Sequence, residues 1–138
     1  MEPLLPIFLA GILVIGLILF AVILMTRKAP KTLDREKYQS DWLAIEQSVD
    51  TTHGSQQLAI FNADKLLDRA LKDLRFQGQT MGERMAGASR SFTRCDAVWA
   101  AHKLRNRLAH EDDVRLNPKL TRQALASFKQ GLKDLGAL

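Results

Sequence analysis

The residues best suited to chemistry lie between Trp99 and His110: Trp99, His102, Arg105, Asn106, Arg107 and His110. Histidine titrates near neutral pH and suits proton transfer. Arginine grips a phosphate through two parallel hydrogen bonds. Spacing argues against a metal site. On a helix, His102 and His110 stand about 12 Å apart along the axis, whereas zinc–nitrogen bonds are about 2 Å long. Asn106 holds the position that a shared ion would need. Glu111, Asp112 and Asp113 follow at the helix end as solvated charge. Cys95, the single cysteine, has no partner for a zinc motif or an intramolecular disulfide. There is no Gly-rich phosphate loop and no G-x-S-x-G. Neither a metal nor a cofactor is expected.

On a helical wheel at about 100° per residue, Ala97, Ala101, Leu104 and Leu108 fall on one line, which faces the core. His102, Asn106 and His110 fall on the opposite line, with Trp99 near them. An outer face holding an indole, two imidazoles and an amide has the composition of an interface. The plainer alternative is an ordinary polar face with one tryptophan.

The string Arg105-Asn106-Arg107-Leu108-Ala109-His110 resembles the R-x4–6-H signature of the HEPN superfamily (higher eukaryotes and prokaryotes nucleotide-binding). The signature joins an arginine, often a polar residue next, and a histidine four to six intervening residues later. The resemblance implies a small bundle of four or so helices. It implies metal-independent RNA cleavage, with paired motifs across a homodimer. Arg105 is then the phosphate clamp, His110 the acid or base and Asn106 a polar orienter, with His102 and Arg107 as flanking binding residues. Trp99, His102 and Asn106 are the expected dimer contacts. RNA carries its own nucleophile, the 2′-hydroxyl, so a base and a charge stabiliser suffice. On a continuous helix Arg105 and His110 point about 140° apart. They converge only if the helix deforms near Ala109 or if they pair across a dimer. HEPN-like domains without activity also exist and serve as nucleotide-binding, RNA-binding or assembly modules, so both readings stand at this point. Without the motif, Arg105 is a surface cation pairing with Glu111 or Asp112. His110 is then a residue favoured by the helix dipole. Asp64 either orients Arg105 through a salt bridge or is an exposed acid, and the sequence reading favours exposure.

The elements that position these residues are all helical. Asp34 caps a helix carrying Tyr38, Trp42, Ile45 and Val49. Thr51-Thr52-His53-Gly54-Ser55 breaks it. A second helix spans about 56–74, with Ala59, Ala63, Leu66, Ala70 and Leu74 as its core stripe, widened by Ile60, Leu67 and Leu71. Asp68 and Lys72 form an exposed four-apart pair. Thr80-Met81-Gly82-Glu83 has the form of a capping box and opens a short helix toward Arg90. Thr93 to Asp96 repeats that signal more weakly and opens the third long helix, through His110. Asn117-Pro118 starts the last helix, which presents Leu120, Ala124, Phe128, Leu132 and Leu135 and closes at Gly136. No stretch alternates as a strand would. The expected fold is all-α: a four-helix-bundle-like soluble domain over 38–138.

Ahead of it, 1–26 is a single transmembrane anchor and 27–37 a basic juxtamembrane linker. From Pro3 to Thr26 no residue is charged, and the apolar run over 4–25 is 22 residues long, enough to cross a bilayer as a helix. A cleaved signal peptide would need a basic start and a small-x-small site; the chain has Met1-Glu2 and Val-Ile-Leu-Met-Thr-Arg. Arg27, Lys28 and Lys31 flank one end, against Glu2 at the other. The positive-inside rule then places the N-terminus outside the cell membrane and the domain in the cytoplasm. Of the net charge of +5, residues 27–37 supply five cations against two acids. The remaining body is only mildly basic, so net charge alone says little about nucleic acid.

Overall fold

The computed structural model describes residues 4–26 and 32–138. The basic cluster Arg27, Lys28 and Lys31, with residues 27–31 of the expected linker, lies outside the described residues. The chain divides into two units, 1–31 and 32–138. The described residues are 77% helical and contain no strand.

The first unit holds helix α1, Leu4–Thr26. Leu4–Leu24 has a mean hydropathy of 3.2, is apolar on every side and is long enough to cross a membrane. None of it is buried, which separates it from the core helix of a globular protein.

The second unit contains α2 (Arg35–Ser48), α3 (His53–Asp73), α4 (Met81–Gly87), α5 (Cys95–His110) and α6 (Pro118–Asp134). A 3-10 turn at Ser89–Ser91 follows α4. Helix α3 is the hub and packs against α2, α4, α5 and α6, while α5 also packs on α6. Every residue of the core cluster comes from this unit. Ala59, Ile60, Ala63, Leu67, Ala70 and Leu71 of α3 are buried, as the periodicity predicts. Leu132 and Phe128 of α6 and Val98 of α5 close over them. Tyr38 and Trp42 bring α2 onto the same core.

Several ends follow the expected chemistry. Asp34 accepts from the Lys37 N–H. The capping box is complete: Thr80 accepts from the Glu83 N–H, and the Glu83 side chain returns to the Thr80 backbone. Asn117 caps α6, with Pro118 in its first turn. Gly136, at φ +77°, ends α6 as the sequence requires, and the Gly136 and Ala137 N–H groups take the carbonyls of Lys133 and Leu132.

Three details differ from expectation. Helix α3 begins at His53, because Thr52 caps it by accepting from the Ser55 N–H. The expected interhelix break therefore shrinks to a few residues. Helix α2 begins at Arg35, so 35–37 are helical rather than linker. At the start of α5, Thr93 does not cap; its N–H and hydroxyl both donate to Asp134 of α6. Burial raises the Asp134 carboxyl pKa, but hydrogen bonds from Thr93 and Gln130 outweigh it and hold it low.

Candidate functional site

Helix α5 is continuous from Cys95 to His110, with no deformation near Ala109. Its buried face is rotated relative to the expected line. Val98, Ala101, Leu104 and Leu108 are buried, and so is His102, at 8% exposure. Ala97 is only half-buried. On the wheel, Val98 lies about 60° from Ala101, and His102 about 40° beyond Val98. Leaving Val98 off the core line therefore placed His102 outside, where the structure places it inside.

The expected outer stripe separates accordingly. His110 is exposed, and its side chain makes no hydrogen bond or ion pair with the described residues. Arg107 is exposed and pairs with Glu111 at 3.2 Å, the partner considered for Arg105. Trp99 is half-buried. Its indole stands edge-on to His102 at 6.1 Å between centroids, and a Cβ placed on Gly82 would touch that indole at 3.6 Å. The tryptophan thus packs against α4 rather than standing wet.

The centre of the site is Asp64 on α3. It is buried, at 4% exposure, and the sequence reading that favoured an exposed acid is corrected. Its position in the chain carries the explanation: Ile60 and Leu67, one turn to either side, are fully buried. A buried carboxylate needs partners, and α5 supplies two. His102 Nδ1 lies 2.7 Å from Asp64 Oδ1. Arg105 Nε lies 3.2 Å from Asp64 Oδ2. That second contact is an ion pair whose N–H is not aimed at the oxygen, so Nε has no formal hydrogen bond. Asn106 completes the set. Its Nδ2 lies 3.2 Å from His102 Nε2, and its Oδ1 accepts from Arg105 Nη1 at 3.1 Å. The guanidinium also covers the Phe61 ring at 5.4 Å.

This set forms one wall of an open cleft of about 1050 Å³ between α3, α4 and α5. Lys65, Lys72, Arg84, Lys103 and Arg105 line it against only Asp64 and Asp68, so its walls are net cationic. Lys72 and Arg84 both pair with Asp68 at 2.7 Å. The Asp68–Lys72 pair is thus part of a buried-edge clamp rather than an isolated surface pair. Lys65 and Lys103 pair with none of the described residues and leave their charge to the cleft. Phe61 and Trp99 add aromatic surface. His110 does not line it.

The structure thus brings together Trp99, His102, Arg105 and Asn106 and leaves Arg107 and His110 apart. The expectation missed Lys65, Lys103 and the central role of Asp64. No group of three or more His, Cys, Asp or Glu residues among the described residues has the geometry of a metal site. Compared with family models, curated proteins and solved structures, the chain matches none.

Proposed function

We propose that this chain is a membrane-tethered, HEPN-like domain that binds RNA in the α3–α4–α5 cleft and cleaves it without metal across a homodimer. One observation carries the reading: Arg105, held by Asp64 and Asn106, stands in a cleft with five cationic and two acidic side chains. Clustered cations track a phosphate backbone, and flat aromatics give bases a surface to stack on. In the reaction, His110 takes the proton of the RNA 2′-hydroxyl. The 2′-oxygen attacks the adjacent phosphorus, and the bond to the 5′-oxygen breaks. That oxygen takes a proton from water as it leaves, giving a 2′,3′-cyclic phosphate and a 5′-hydroxyl, and His110 returns its proton to the solvent. Arg105 carries the phosphate charge. Because His110 lies outside the cleft that Arg105 lines, the partner subunit's motif supplies the histidine.

Helix α1 anchors the domain in the cell membrane, with the N-terminus outside and the domain in the cytoplasm. The support is the length and hydropathy of α1 and the cations that follow it.

A second reading has its own support. Arg105 is already paired with a buried acid, and His110 is remote from it within the subunit. These favour a non-catalytic nucleotide- or RNA-binding or assembly module. Incubating the purified chain with mixed RNAs in EDTA separates the two. Cleavage by the parent and not by His110→Ala supports the nuclease. Binding without cleavage by either supports the module.

A further inference from the structure

Asp64, His102, Asn106 and Arg105 form a closed ring in which each side chain touches the next. An ionised carboxylate only accepts hydrogen bonds. Facing Asp64 Oδ1 at 2.7 Å, His102 Nδ1 therefore carries the proton. Arg105 Nη1 can only donate, so the Asn106 amide gives it the oxygen, at 3.1 Å, and turns Nδ2 to His102, at 3.2 Å; facing a donor, Nε2 must accept and carries no proton. Any reversal breaks the chain. Turning the amide sets oxygen against the bare nitrogen and N–H against N–H. Moving the imidazole proton to Nε2 sets a lone pair against the carboxylate. The polarity of the ring is thus determined throughout; of the Arg105 nitrogens, Nη1 donates to Asn106, Nε stays in its ion pair with Asp64, and Nη2 makes no hydrogen bond with the described residues.

We infer that His102 is a positioning residue for the phosphate-binding arginine: as the Nδ1–H tautomer held by Asp64, it orients the Asn106 amide, which fixes the Arg105 guanidinium in the cleft. The inference rests on the proposal that Arg105 meets an RNA phosphate. His102 is itself 8% exposed and acts through Asn106 rather than on the ligand.

Two measurements on the full chain in detergent micelles test it. The first needs no RNA. Nitrogen-15 NMR of the His102 ring reports which nitrogen carries the proton. The ring requires Nδ1, and a proton on Nε2 overturns the inference whatever the protein's activity. The second uses a fluorescent single-stranded 2′-O-methyl RNA, which binds but cannot supply the nucleophile. Arg105→Ala weakens its binding about tenfold, the scale of one hydrogen bond to a charged group. If Arg105→Ala changes nothing, the RNA reading fails, while the tautomer result still stands or falls alone. His102→Leu, similar in bulk but without polar nitrogens, weakens binding to a similar degree. The double variant is no weaker than Arg105→Ala, because His102 works through that arginine. Losses that multiply contradict the inference. His102→Gln offers a donor to Asp64 and an acceptor to Asn106, and it restores binding. Its failure to do so, with the fold intact by circular dichroism, also counts against the inference. Should His102→Leu fail to fold, the tautomer and the glutamine variant decide.

Discussion

Side chains in this domain are governed by what is buried beside them, and Tyr38 shows this most simply. Its ring is almost fully buried on α2, and its hydroxyl donates to Asp73 at 2.9 Å. Burial pushes its pKa up to about 12; the nearby Arg69 opposes that rise and Asp73 adds to it. In the unfolded chain a tyrosine loses its proton near pH 10. The folded state therefore keeps a proton that the unfolded state gives up. The stability due to Tyr38 is complete below about pH 10 and is lost as pH rises toward about 12. Tyr38 is the only tyrosine in the chain, so tyrosinate absorbance follows it without interference. The expected midpoint is near 12, with unfolding transitions moving to lower denaturant over the same range. A midpoint near 10 in the folded protein contradicts the burial argument.

The same contrast explains which site residues the sequence disclosed. Arg105, Asn106 and His110 stood out through the motif they resemble; the structure brings the first two to Asp64 and His102 and leaves His110 apart. Asp64 did not stand out, because an acid at the edge of an apolar stripe looks the same whether it is solvated or paired. Its burial becomes visible only once α5 brings His102 and Arg105 against it. His102 was misplaced because a single valine, Val98, shifts the centre of the buried arc. Long-range pairing of this kind, between residues 38 apart in the chain, leaves no local trace.

Among the elements, the ends with strong local chemistry were legible and the others were not. Asp34, the Thr80–Glu83 box, Asn117-Pro118 and Gly136 all act where the sequence puts them. Thr93 illustrates the limit. A hydroxyl suited to capping instead bonds Asp134, because α6 passes beside it. Helix α4 depends on one backbone feature. Gly78 has φ +151°, and an added Cβ would come 2.7 Å from Glu83 Cβ and 2.9 Å from Arg84 N. Its carbonyl also accepts from Arg84 Nη1 at 2.7 Å, tying the turn to the Arg84–Asp68 clamp. Gly78→Ala is expected to destabilise the domain by about 2 kcal/mol, through strain and through displacement of α4. Denaturant unfolding measures this, and a change within experimental error would show that the turn relaxes freely. Because α4 forms one side of the cleft, the proposed RNA binding predicts that affinity falls with it. Trp99 also contacts this helix. Trp99→Glu therefore disturbs packing as well as any subunit contact, and it is a poor probe of dimerisation.

For the whole molecule, the all-α architecture was legible because the apolar stripes of the second unit have the helical period and the continuous apolar run of α1 has the length of a membrane-crossing helix. The core is drawn entirely from the second unit, so residues 32–138 should fold alone. The proposed topology makes a separate prediction. A reporter fused after Leu138 should resist external protease in intact cells, and digestion there would reverse the assigned orientation. What the sequence left open at this scale was how Arg105 and His110 meet. The continuous α5 removes the option of a local deformation, so cleavage as proposed requires the dimer, while the binding-module reading needs no such meeting. Mixing inactive subunits addresses that most directly. Arg105→Ala and His110→Ala are purified separately, allowed to exchange subunits, and assayed for RNA cleavage in EDTA. If each site joins Arg105 of one subunit to the partner's His110, mixed dimers rebuild one intact site, and activity returns to about a quarter of the parent's at equal mixing. A silent parent, or a mixture no more active than either variant alone, contradicts the account.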